Sequence, residues 1–304
     1  MSEKKTNTKK RGSEREQKGA LCDNLSFAAA EAYKRLRANL QFVLPEDKPC
    51  KIIGITSSIR NEGKSTTAVN LAFTIAQSGK RVLLIDADMR LPTVHSKLAV
   101  QSTPGLSNLL AGLSSERESM QVSTYYSNWY IIPSGDVPPN PSELLGSERM
   151  HQLLEHLSGF FEYIIIDLPP VNVVSDALVC SAWTDGLIVA VRQNYTTGHA
   201  LQDCMYQIEG THTHFLGFVM TDVAVGESAY KRYGKYGRYG KYARYGRYGY
   251  GYGYGNGGGY GYASSYGYGG KQRTDKETAK LYHEATINQE DLGATPFDTP
   301  DGQK

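Results

Sequence analysis

Long apolar runs are missing from both ends of this 304-residue chain. Residues 1–20 are mostly Lys, Arg, Glu, Ser and Thr with no apolar stretch, which excludes a signal peptide or membrane span there. From Tyr230 to Gly270 there is no Leu, Ile, Val or Phe, so that segment has nothing with which to build a core. Cysteine is scarce as well. Cys22, Cys50, Cys180 and Cys204 show no CxxC or other metal-ligand spacing, and reduced thiols in a cytosolic protein follow as the default. A formal charge of +2 is too small to make nucleic acid the expected partner of the whole chain. The pair His212-x-His214 has no other ligand type beside it and reads as a surface feature at a strand entry.

What remains between Leu21 and Asp222 is about 200 residues of ordinary apolar content, enough for one well-buried core. The expected organisation is a solvated basic N-terminus over 1–20, one globular domain over 21–228 and a flexible tail over 229–304. Within the domain, Ile52–Thr56, Val82–Ile85, Tyr130–Ile132, Tyr163–Ile166, Leu187–Val191 and Phe215–Met220 are near-continuous apolar runs, the pattern of strands buried on both faces. Helical spacing marks Ser65–Ser78, which ends at Gly79, and Ser142–Leu157, which follows a Pro-rich turn. The alternation predicts an α/β fold, a doubly wound and mostly parallel sheet with helices on both faces. A further helix over Phe27–Val43 precedes the βα repeats.

The tail repeats every three residues as Tyr-Gly-Lys or Tyr-Gly-Arg and then passes into Tyr-Gly repeats. Glycine at that density costs too much backbone entropy for a helix or strand, so the segment is predicted to be disordered. Of the 22 tyrosines, 14 lie here: Tyr230, Tyr233, Tyr236, Tyr239, Tyr242, Tyr245, Tyr248, Tyr250, Tyr252, Tyr254, Tyr260, Tyr262, Tyr266 and Tyr268. Lys231, Arg232, Lys235, Arg238, Lys241, Arg244 and Arg247 have no acidic neighbour within the tail.

The strongest chemical signal is Thr56-Ser-Ser-Ile-Arg-Asn-Glu-Gly-Lys-Ser-Thr66, between a predicted strand and a predicted helix. That is the setting of a phosphate-binding loop, or P-loop. The amides of Ser58, Arg60, Asn61, Glu62, Gly63, Lys64, Ser65 and Thr66 and the helix N-terminus can face phosphate oxygens. Lys64 can reach the β- and γ-phosphates, and Ser65 can ligate Mg²⁺. The first glycine of the general pattern is Ser58 here. The next strand ends in Asp86-Ala-Asp88, whose two carboxylates can project together at the carboxyl end of the sheet, where open α/β folds bind ligands. They suit metal binding and acceptance of a hydroxyl proton. Asp167 ends a third strand, where an acid commonly partners the P-loop serine in holding Mg²⁺.

With Glu31-Ala-Tyr-Lys-Arg-Leu-Arg37, Arg90-Leu-Pro92, Pro104-Gly-Leu106 and Gly135-Asp-Val-Pro-Pro-Asn-Pro-Ser-Glu-Leu-Leu145, these motifs resemble the bacterial tyrosine kinases that regulate capsule and exopolysaccharide synthesis. The resemblance spans roughly Leu21 to Met220 and resumes in the tyrosine tail. It implies a P-loop NTPase fold using ATP and Mg²⁺, with Lys64, Asp86, Asp88 and Asp167 catalytic and Ser65, Asp86, Asp88 and Asp167 around the metal. It also implies autophosphorylation of the tail tyrosines, self-association through Glu31, Lys34 and Arg37, and a cognate tyrosine phosphatase. A transmembrane activator, or chain-length regulator, would complete the nucleotide site with its cytoplasmic segment and recruit a cytoplasmic kinase to the inner face of the membrane. Two positions depart from the family pattern. Arg60-Asn61 stands where Pro-Gly is usual, and Asn tolerates the left-handed conformation Gly would adopt. Lys34 stands where Arg is usual, without Arg's bidentate fork.

Two other classes compete. Partitioning and septum-positioning ATPases share the acids but carry a second lysine at the position of Ile59, and they leave the tail unexplained. Tyr/Gly/Arg repeats also occur in RNA-binding and condensing proteins, where they stack on bases.

Overall fold

The computed structural model describes residues 21–211 and 213–223; the N-terminal segment, His212 and all the tail tyrosines lie outside the described residues. Seven strands form one sheet: β1 (Lys51–Ser57), β2 (Val82–Asp86), β3 (Gln121–Val122), β4 (Trp129–Ile132), β5 (Tyr163–Asp167), β6 (Gly186–Arg192) and β7 (Phe215–Thr221), in the order β3-β4-β2-β5-β1-β6-β7. Every pairing is parallel except β3 with β4, so the expected doubly wound sheet is what forms. The two-residue β3 was not legible as a strand because it is too short to carry a pattern.

The apolar runs are explained by burial on both faces. Along β2 and β5, Leu83, Ile85, Ile164 and Ile166 enter one core cluster while Val82, Leu84, Tyr163 and Ile165 enter the other, as period-2 side chains must. Helix α1 (Phe27–Val43) and helix α2 (Lys64–Ala76) cover the second face. Nearly all of α2 is buried because it lies between the sheet and α1, and even its polar Thr67, Asn70 and Thr74 are enclosed. The Ser26 hydroxyl caps α1 by accepting from the Ala29 amide at 3.3 Å, and Arg37 donates to the Thr74 carbonyl of α2 at 2.6 Å. Just beyond α2, Gly79 has a φ of +86°, the left-handed geometry that ends the helix.

Shorter helices follow: α3 (Val94–Leu98), α4 (Leu106–Ala111), α5 (Glu116–Ser119), α6 (Pro141–Leu145), α7 (Glu148–Ser158), α8 (Asp176–Ser181) and α9 (Gly198–Glu209). The single helix expected over Ser142–Leu157 is two. Gly146 ends α6, and the Ser147 hydroxyl starts α7 by accepting from the Met150 amide at 3.3 Å. The four cysteines are buried free thiols, each pushed up to about 12 by burial. Among the described residues no helix is long and apolar enough to cross a membrane.

The two glycine motifs of the sequence meet in the fold. The Leu106 amide donates to the Pro133 carbonyl at 2.8 Å and the Ser107 amide to the Ser134 carbonyl at 2.9 Å, pressing Gly105 against Gly135. A Cβ on Gly105 would fall on the Gly135 nitrogen and the Pro133 carbonyl oxygen, which are backbone atoms unable to rotate away. Gly105→Ala is therefore expected to lower the unfolding free energy by about 1–3 kcal/mol. Gly198→Ala, where a Cβ meets nothing within 4 Å at the start of α9, should be neutral or stabilising by up to about 1 kcal/mol. Urea denaturation midpoints of the two variants check this contrast.

Candidate active site

The site sits at the carboxyl ends of β1, β2 and β5. Parallel register places Ile55 of β1 beside Asp167 of β5, and Asp167 beside Asp86 of β2. The P-loop leaves β1 and enters α2 through two left-handed residues, Asn61 with a φ of +64° and Gly63 with +89°. Asn61 thus adopts the conformation that a glycine would otherwise supply. The amide-bearing turn and the N-terminus of the 13-residue α2 face the same end of the sheet as the acids.

The Lys64 ammonium lies 2.7 Å from Asp88 Oδ2, 3.4 Å from Asp167 Oδ1 and 3.2 Å from Ser65 Oγ. Burial alone would lower its pKa, but Asp167 and Asp88 outweigh that and hold it above the ordinary lysine value. Burial pushes both Asp86 and Asp167 above the usual carboxylate range. For Asp86 the charge of Asp167 adds to the rise, whereas Lys64 and a Ser65 hydrogen bond pull Asp167 back.

Asp86 and Asp88 are close in sequence but differ in what they touch. Asp86 Oδ2 accepts from the amides of Thr93 and Val94 at 3.1 and 3.0 Å, and its Oδ1 from the Asp88 amide at 3.2 Å, so its carboxylate organises the turn into α3. Asp88 accepts one amide, from Leu91 at 3.0 Å, and turns its other oxygen to Lys64. Glu62 has its carboxylate buried inside the loop. It accepts from the Ser58 hydroxyl at 2.9 Å and the Ile59 amide at 2.8 Å. Arg60 is exposed, Ser65 is nearly buried and Thr66 is half-buried.

A magnesium ion fits what is there. Asp167 Oδ2 is buried without a hydrogen-bond partner, an orphan acceptor with capacity for a further ligand. No group of three His, Cys, Asp or Glu side chains among the described residues forms a metal cage. Mg²⁺ characteristically makes do with one or two carboxylates plus waters and substrate phosphate.

Some of the site's supports are pairings that no sequence pattern relates. Arg90 forms a two-point pair with Asp176, Nε to Oδ2 at 2.8 Å and Nη2 to Oδ1 at 3.0 Å, and Ser142 also donates to Asp176. This joins the Asp86-Ala-Asp88 turn to α6 and α8, and Arg90 and Asp176 lie 86 residues apart. Of the residues expected to mediate self-association, Glu31 and Lys34 pair with each other at 2.8 Å on the partly exposed face of α1. Arg37 instead binds α2.

A parallel sheet with a P-loop at its first strand and acids at two neighbouring strand ends defines a P-loop NTPase fold. A family model described as an AAA domain matches residues 50–216. The chain is 35% identical over 206 residues to the tyrosine-protein kinase YwqD of Bacillus subtilis, covering 67% of this chain and 86% of that protein. It is 34% identical to the tyrosine-protein kinase wzc of Salmonella typhi over 69% of this chain and 29% of that longer protein. Among solved structures, the kinase domain of the Escherichia coli tyrosine kinase ETK superposes with a TM-score of 0.62 at 33% identity, over 67% of this chain and 81% of that one. The chain belongs to the bacterial tyrosine kinase family and is a protein-tyrosine kinase.

The charge balance at Lys64 makes a pH-dependent prediction. Lys64→Met leaves buried Asp88 and Asp167 without their cation, a loss of about 3–5 kcal/mol near neutral pH. Removing the cation raises the folded pKa of Asp167 further above its unfolded value of about 3.9. An acid so shifted contributes most below its unfolded pKa and loses stability as pH rises through the folded one. The deficit relative to wild type should therefore be larger at pH 8 than at pH 5, as read from urea unfolding at both.

Proposed function

We propose that this kinase transfers the γ-phosphoryl group of ATP–Mg²⁺ to tyrosines of the 230–268 cluster on a neighbouring copy, and so regulates capsular or exopolysaccharide synthesis. The observation that carries the reading is the Lys64 ammonium held between Asp88 and Asp167 at the mouth of a P-loop. In this reading the loop amides and Lys64 bind the triphosphate, exchanging the lysine's carboxylate contacts for phosphate oxygens. Ser65 and Asp167, with Asp86 or Asp88 nearby, would hold Mg²⁺. When bound, that ion neutralises charge on the transferring phosphoryl group.

Asp88 is the acid best placed to accept the phenol proton, because the three amides on Asp86 commit that carboxylate to shaping the turn. Partners in this reading are a second copy, docking through α1 by Glu31 and Lys34 with Arg37 bracing the helix, and a cognate phosphatase. A transmembrane activator would recruit the kinase from the cytoplasm to the inner face of the membrane and complete the nucleotide site with its cytoplasmic segment.

Two experiments test this. Purified full-length chain is incubated with ATP and Mg²⁺, with and without the cytoplasmic segment of a candidate activator, and probed for phosphotyrosine. Lys64→Met and Asp88→Asn should each cut the signal by about a hundredfold or more, Asp88→Asn with a much smaller effect on nucleotide affinity. Affinity falling in step with rate for Asp88→Asn contradicts its assignment as base. Each phosphate adds about −1.5 to −2 charges, so about four or five cancel the seven basic tail residues. Phosphorylated protein should therefore sediment as a smaller assembly than phosphatase-treated protein, and an unchanged assembly removes the charge switch while leaving the kinase reading intact.

A further inference from the structure

The P-loop is tied down from outside by residues more than 130 positions further along the chain. Glu62 is fully buried, and among the described residues its carboxylate forms no ion pair. Its charge is met by the Ser58 hydroxyl, the Ile59 amide and the Thr196 hydroxyl. The Thr196 oxygen itself accepts from the Arg192 amide at 2.9 Å, so one hydroxyl links the end of β6 to the loop. Thr221, the last residue of β7, donates to the Glu62 carbonyl at 2.6 Å, and its side chain lies directly beneath Gly63. Arg192 reaches the Asn61 carbonyl at 3.3 Å while Asp222 holds its guanidinium through Nε and Nη2 at 3.0 and 2.9 Å.

These contacts converge on the stretch of backbone that carries two left-handed residues within three positions, Asn61 and Gly63. For Asn that conformation costs free energy in the absence of external restraint, and a loop without such ties would relax away from it. A cradle of amides binds phosphate well only when the amides are already oriented.

We propose that Thr196, Thr221 and Arg192 are positioning residues for the nucleotide, acting through Glu62 and Asn61 to hold the P-loop amides in their binding orientation. The inference rests on the nucleotide reading above. Amide contacts to the α- and β-phosphates are made equally in the ground and transition states. Loosening them therefore weakens substrate binding without slowing the chemical step, unlike loss of the acids.

The test uses full-length protein and a fluorescent ATP analogue with Mg²⁺. Thr196→Val keeps the shape but removes a hydrogen bond to a buried carboxylate, and it should raise the Kd and the KM for ATP about tenfold with kcat within about twofold. Thr196→Ser, which restores the hydroxyl, should return both constants to near wild type. Glu62→Gln, which replaces an acceptor with a donor facing donors, should match or exceed the effect of Thr196→Val. A lowered melting temperature for Thr196→Val with unchanged Kd would mean a merely structural hydroxyl and would overturn the proposal, as would a fall in kcat at constant KM. Wild type that binds no nucleotide even with the cytoplasmic segment of the activator present removes the nucleotide reading and this inference together, whereas wild type and Thr196→Val binding equally well removes only the brace.

Discussion

The ammonium of Lys64 stands against buried carboxylates contributed by two separate stretches of chain, and the arrangement of the site follows from that meeting of charges. Asp167 comes from β5, Asp88 from just beyond β2, and Asp86 lies beside Asp167 by strand register. Burial and the charge of Asp167 raise the pKa of Asp86, burial raises that of Asp167, and Lys64 is the cation that pulls both back part of the way. The same geometry prepares the site for a more highly charged guest. A triphosphate with a divalent ion brings its own negative and positive charges, so lysine and acids can separate to opposite sides of the substrate without either being left unpaired.

Around this centre the fold divides the work between the two sides of β1. On the β5 and β2 side lie the acids, and their supports run outward through Arg90 and Asp176 to α6 and α8. On the β6 and β7 side there are no acids against Lys64. Hydroxyls and one guanidinium instead grip the P-loop backbone through Thr196, Thr221 and Arg192. One flank thus governs charge at the reacting end of the substrate and the other governs the shape of the cradle. Kinetic effects of substitution should sort the same way, because charge that develops in the transition state affects kcat whereas a preformed cradle affects binding.

The domain is built for rigidity at the site. Asp86, Asp167 and Glu62 are fully buried, and Asp88 nearly so.

The sequence by itself determined six of the seven strands, their mostly parallel class and the catalytic candidates, because each rests on local information. Ile164 and Ile166 alternate with Ile165 in a run apolar on both faces, and the P-loop advertises itself by a glycine, a lysine and a serine in order between a strand and a helix. Asn61 could be assigned a left-handed conformation because that is a property of one residue type. Other features depended on pairs of residues that no local pattern relates. Only the tertiary structure decided that Asp86 shapes a turn while Asp88 meets Lys64, since residues two apart past a strand end no longer obey the strand's alternation. It also turned Glu62 inward onto Thr196, 134 positions away, and set Arg90 on Asp176. A hydrogen bond to a buried carboxylate selects its donor by where the folded chain places it, and that placement is a property of the assembled sheet rather than of any segment within it.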